Sequence, residues 1–88
     1  LFINFGETEA DKAMQLAKEL RNRNVKCEVY PENAKMKKQM QYADRKSVRH
    51  VVMIGEKELQ TGQFTLKNMI SGDQKSLTEE ELLNYFNS

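Results

Sequence analysis

Few side chains in this sequence are of a type and spacing that could carry a reaction. His50 is the only histidine, it lies inside an apolar stretch, and no serine or cysteine stands in a pattern that would make it a nucleophile. Its expected role is structural. The four glycines, Gly6, Gly55, Gly62 and Gly72, each stand alone, so neither a GxGxxG turn nor a GxxxxGK[ST] phosphate cradle is present. Glu79-Glu80-Glu81 imitates a paired-carboxylate site, but it follows Thr78 in the arrangement that caps a helix, and capping accounts for it. Cys27 is the single cysteine, so neither an oxidised scaffold nor a structural zinc site is expected, and on the core side of a strand it behaves as a small hydrophobe. What remains is charge. Lys35, Lys37, Lys38, Arg45, Lys46 and Arg49 crowd the middle of a chain whose formal net charge is only +1, which suits modest affinity for phosphates rather than autonomous nucleic-acid binding. These residues describe a domain that acts by binding.

The elements that must position those charges can be read along the chain. A length of 88 residues allows one core, and 39% hydrophobic with 31% charged residues is too balanced for disorder. A single domain over 1–88 is expected. The chain opens on Leu1-Phe2-Ile3-Asn4-Phe5 without an initiator Met, a basic leader or an apolar run long enough to cross a membrane. The expectation is a cytoplasmic fragment cut at a domain boundary, from a reducing compartment, with no membrane partner.

Leu1 to Phe5 reads as a first strand stopped by Gly6. Thr8 to Asp11 resembles a capping box, and Ala10, Ala13, Met14, Ala17 and Leu20 recur at helical spacing to about residue 23. Val25 to Tyr30 alternates as a second strand before Pro31. Met36, Met40 and Ala43 then form a narrow apolar stripe, more suited to packing than to a partner groove, with Lys35, Lys38, Tyr42 and Arg45 on another face. Val48 to Ile54, with Val51-Val52-Met53-Ile54 uninterrupted, suits a central strand. A polar turn, a hairpin over Gly62 to Leu77 around Ser71-Gly72-Asp73, and a helix capped by Thr78 and Glu81 complete the chain.

This order predicts an α/β fold: a three-layer α/β/α sandwich on a five-stranded mixed sheet of order 2-1-3-4-5 with one antiparallel strand. In such sheets ligands favour the crevice beyond the strand ends where chain direction reverses. That crevice should gather the turns at Phe5-Gly6-Glu7, Pro31-Glu32-Asn33 and Gly55-Glu56-Lys57-Glu58.

Three blocks carry a family resemblance: Asn33-Ala34-Lys35-Met36-Lys37-Lys38-Gln39-Met40-Gln41-Tyr42-Ala43-Asp44, then Val51-Val52-Met53-Ile54-Gly55-Glu56-Lys57-Glu58, then Gly62 through Lys67. In order and spacing, over nearly the whole chain, they resemble the C-terminal anticodon-binding domain of histidyl-tRNA synthetases, with the threonyl, prolyl and glycyl branches as relatives. The resemblance implies tRNA as partner, a separate catalytic domain in the same chain that uses ATP and Mg to charge the tRNA with histidine, and a homodimeric parent. It implies no cofactor in this domain.

Carried over by position, Asn33 would read a base edge, since an amide offers donor and acceptor together, although it would also cap the second helix. Glu58 would accept hydrogen bonds from exposed base amino groups, its alternative being an ordinary turn residue. Lys67, where relatives often have arginine, would reach a base or phosphate without arginine's bidentate fork. Gln41 would add a polar contact, and Lys35, Lys38 and Arg45 would hold the RNA backbone. Two other classes stand beside this reading: an interaction module of an accessory or regulatory pseudo-synthetase, and, as a formal alternative without candidate residues, a small α/β enzyme.

Overall fold

A computed structural model describes residues 1–30 and 35–86. Strand β1 (Phe2–Asn4) leads into helix α1 (Glu7–Asn22), and helix α2 (Met36–Arg45) precedes strand β2 (His50–Ile54). Helix α3 (Glu56–Thr61), the hairpin of β3 (Gln63–Asn68) and β4 (Gln74–Thr78), and helix α4 (Glu79–Phe86) follow. The sheet order is β1-β2-β3-β4. β1 and β2 are parallel, while β3 runs antiparallel to both of its neighbours.

The expected fifth strand is not formed: the sheet has four strands among the described residues. Residues 25–30 do flank β1, as the sequence suggested, but they meet it through a single bridge, Phe2 to Val29. Two backbone bonds make it, from the Phe2 N–H to the Glu28 carbonyl at 2.8 Å and from the Tyr30 N–H to the Phe2 carbonyl at 2.9 Å. A three-residue β1 offers its outer edge too little backbone for a longer ladder. Two further expectations are corrected. Helix α1 starts from Gly6 with no side-chain cap, so the Thr8 to Asp11 box is not used, and the polar turn after Gly55 is the six-residue helix α3.

The two sheet faces have different fates. Period-two alternation sends Phe2, Val52, Ile54, Phe64 and Leu66 to one side, where they bury against Ala13, Leu16, Ala17 and Leu20 of α1 and Leu82 and Leu83 of α4. Each fully buried Leu or Phe there contributes about 1.5–3 kcal/mol relative to exposure. Cys27 packs against this cluster, its thiol directed at the Ala17 carbonyl at 3.4 Å, and burial pushes its pKa up. On the other side Ile3 and Val51 meet Ala43 of α2, with Met40, Met53 and Met69 around them. A ten-residue α2 is too short to cover the whole sheet. The polar alternates of the hairpin, Gln63 and Ser76 among them, remain exposed on this side and bond to each other at 3.0 Å.

Candidate nucleic-acid interface at the strand ends

The carboxyl ends of β1 and β2 form a rim, and one buried side chain fixes α2 to it. Gln39 is fully buried; its Oε1 accepts the Asn4 N–H at 3.0 Å and its Nε2 donates to the Asn4 carbonyl at 2.7 Å. The Asn4 side chain in turn donates to the Tyr30 carbonyl at 3.2 Å. This arrangement replaces ladder bonds that β1 lacks at its end, and it holds α2, β1 and the segment before Pro31 in one register.

The second arm of the rim is the turn from β2 into α3. Glu58, the third residue of that helix, reaches back so that its Oε1 accepts the Gly55 N–H at 2.7 Å. It is half-buried, and Oε2 has no partner among the described residues. Gly6 and Gly55 play the same part at adjacent strand ends, since both begin a Gly-Glu-x-Glu turn and a Cβ at either would crowd the glutamate three residues on.

The structure distributes the sequence-derived residues unevenly. Asn33 lies outside the described residues. Lys35 is exposed at the N-cap of α2, where its carbonyl accepts the N–H groups of Lys38 and Gln39 at 3.1 and 3.2 Å. Lys38, Gln41 and Arg45 are exposed, and at i, i+3 and i+7 they share the strip of α2 that faces away from the sheet. Tyr42 departs from the face assigned to it. It turns to the flank, packing edge-on against Tyr30 at 5.2 Å and donating from its hydroxyl to the Glu28 carboxylate at 3.3 Å. Partial desolvation, and then the Glu28 charge, raise its phenol pKa.

Lys67 is half-buried in β3 and lines a shallow groove with Met36, Lys37, Met40 and Asp44 of α2. Its register partner is Val51, so it sits roughly 13 Å along the strand from the rim end of β3 at a rise of about 3.4 Å per residue. Glu58 and Gln39 are therefore at the rim, whereas Lys67 stands on the sheet face below it, beside Met36, Met40 and Asp44 of α2.

Two rim residues were given no role from the sequence, although Phe5 stood in one of the turns expected at the crevice. Gln39 had a signal, because it interrupts the Met36, Met40 and Ala43 stripe where only an apolar or fully bonded side chain can sit. Phe5 had less: an aromatic one residue past the strand, left 36% exposed. Among the described residues no cluster of three or more His, Cys, Asp or Glu could hold a metal ion, and no helix is long and apolar enough to cross a membrane.

A mixed sheet with helices on both faces, its strand-end rim formed by two Gly-Glu-x-Glu turns beside the start of a lysine-bearing helix, defines an α/β domain of the open-sheet class. The family model described as the anticodon binding domain matches residues 1–88, and the chain belongs to that family. The histidine–tRNA ligase of Christiangramia forsetii is 54% identical over 77 residues, which cover 88% of this chain and 17% of that protein. The histidine–tRNA ligase of Bacteroides fragilis is 47% identical over 83 residues, 94% of this chain and 18% of that protein. Among solved structures, apo S. aureus histidyl-tRNA synthetase superposes with a TM-score of 0.90 at 30% identity, covering 99% of this chain and 23% of that chain. The RNA binding domain of threonyl-tRNA synthetase from Cryptosporidium parvum Iowa II superposes at 0.87 with 21% identity over 97% of this chain and 22% of that chain, a likeness of fold. This chain thus spans less than a quarter of each of these proteins.

Proposed function

We propose that this domain holds the anticodon loop of histidine tRNA for a histidine–tRNA ligase. The observation that carries the reading is the rim itself, where the Gln39–Asn4 clamp fixes the start of α2 beside the strand end from which Glu58 projects. In this reading Glu58 and Asn33 take hydrogen bonds from base edges, Gln41 adds a polar contact, and Lys35, Lys38 and Arg45 hold the backbone. Lys67, set below the rim, reaches a base or phosphate that enters the groove beside α2. The similarity to histidine–tRNA ligases, rather than any feature of the rim, supports histidine tRNA as the cognate molecule.

The charging reaction belongs to a separate catalytic domain of the parent, where ATP and Mg bind, and no residue of this chain is assigned to them. The parent is a cytoplasmic homodimer whose catalytic domain this domain contacts. Anisotropy titration with anticodon stem-loops tests the reading. Glu58→Ala should weaken the matched loop by about tenfold, the loss of one good hydrogen bond to a charged group, and leave a scrambled loop unchanged. Lys38→Ala should weaken both alike and flatten the salt dependence by about 0.7 of a log unit per log unit of salt. Equal affinity of the wild-type chain for matched and scrambled loops would remove the base-reading roles.

A further inference from the structure

An aromatic ring stands on the rim beside the Glu58 carboxylate. Phe5 follows the last residue of β1 and is 36% exposed, whereas Phe2 and Phe64, at 1% and 2%, fill the core. Its neighbour across the rim is Gly55, where a Cβ would lie 3.5 Å from Phe5 Cδ2 and 2.9 Å from Glu58 Oε1. Ring and carboxylate thus flank one backbone position and are no farther apart than those two distances laid end to end. Gly55 puts no side chain between them. The bond from the Gly55 N–H at 2.7 Å holds the carboxylate in place.

An apolar ring face edged by a fixed acceptor is suited to an unpaired nucleobase, whose π-face stacks while an edge N–H is bonded. The same carboxylate repels phosphate, so an RNA strand entering here turns its bases toward the rim and its backbone toward the lysines of α2. We propose that Phe5 is the stacking platform of the interface, holding one unpaired base flat while Glu58 accepts from its edge. This role presupposes the anticodon-loop reading above. It accounts for an aromatic ring left exposed where the Gly55-bound carboxylate adjoins it.

The chain has no tryptophan, so Phe5→Trp installs a single indole at the platform. Titration with an anticodon stem-loop RNA should quench that indole saturably, at an affinity close to wild type. Phe5→Ala and Phe5→Leu should each lose between about fivefold and a hundredfold in affinity, the range of one base–aromatic stack, and Phe5→Tyr should restore binding. Leucine keeps apolar bulk at a surface position, so it separates lost stacking from lost folding, which circular dichroism of each variant checks. Wild-type affinity in both Phe5→Ala and Phe5→Leu, or an unquenched indole in a Phe5→Trp chain that binds, overturns the stacking role and leaves the RNA reading standing. A folded wild-type chain that binds no anticodon loop overturns both.

Discussion

Replacing Gln39 with leucine removes the rim clamp at nearly constant volume. Asn4 is 2% exposed and Gln39 0%, so the Asn4 N–H and carbonyl, now bonded at 3.0 and 2.7 Å, could not turn to water instead. Each orphaned buried group costs about 1–3 kcal/mol, and the greater apolarity of leucine returns about 1–2 kcal/mol. With two groups orphaned, the net loss at the middle of these ranges is about 2.5 kcal/mol. A chain of this size has a stability of about 4–13 kcal/mol, so the thermal midpoint should fall by roughly 10–20 °C. Urea and thermal unfolding followed by circular dichroism measure both quantities. Gln39→Glu gives the sign check. Its ionised carboxylate can accept the Asn4 N–H but presents no donor to the Asn4 carbonyl, whereas the protonated acid can make both bonds. Its folded pKa should therefore rise above the unfolded value of about 4.3, and its deficit should shrink as pH falls toward 4 and grow above it. A Gln39→Leu variant within about 0.5 kcal/mol of wild type, the range of ordinary surface substitutions, would refute the clamp.

Further perturbations probe other parts of the fold. Burial, and then the positive charges of the Leu1 amino group, Arg49 and Lys75, hold His50 below its usual pKa, so its neutral form is favoured in the folded chain. Its contribution is present above about pH 6.5 and is lost as pH falls through the lowered folded value; His50→Gln should flatten the change in urea midpoint between pH 7.5 and 5. Thr78→Ala removes the hydroxyl that accepts the Glu81 N–H at 3.2 Å and should cost about 1 kcal/mol. Because bonds from Thr78 keep the Glu81 carboxyl below its usual range, a carboxylate titration followed by NMR should show that pKa move up in the same variant. Gly62 closes α3 at φ 72° and donates to the Glu58 carbonyl at 2.9 Å. Gly62→Ala meets open space but a left-handed backbone, and thermal melts should show a loss of about 1–2 kcal/mol.

The legible parts of the fold were those with a strong period or a complete cap. The uninterrupted Val51 to Ile54 run suits a covered strand and forms one, and Thr78 with Glu81 makes both bonds of its capping box, at 3.2 and 2.9 Å. Helix α3 was not legible, because Glu56 to Thr61 offers one apolar residue, Leu59, and its stability comes from packing and from the Glu58 cap rather than from a stripe. Residues 25–30 carried a true strand pattern, yet a strand forms only where its neighbour has backbone to share, and β1 is three residues long. At the candidate site, the cations named from the sequence lie exposed on α2, and Glu58 lies at the turn after β2. Sequence reading set Phe5 at the strand-end crevice but gave neither Phe5 nor Gln39 a role, because their contacts are with residues 50 and 35 positions away in the chain.

The location of the interface is open to one direct measurement: amide chemical-shift mapping of the 88-residue chain as an anticodon stem-loop is added. Perturbations should concentrate at Phe5, Gly6, Gly55 and Glu58 and along the exposed strip of α2, and they should shrink in Glu58→Ala. Shifts confined to the opposite end of the sheet, around His50, Lys75 and Tyr85, would contradict RNA binding at the strand-end rim.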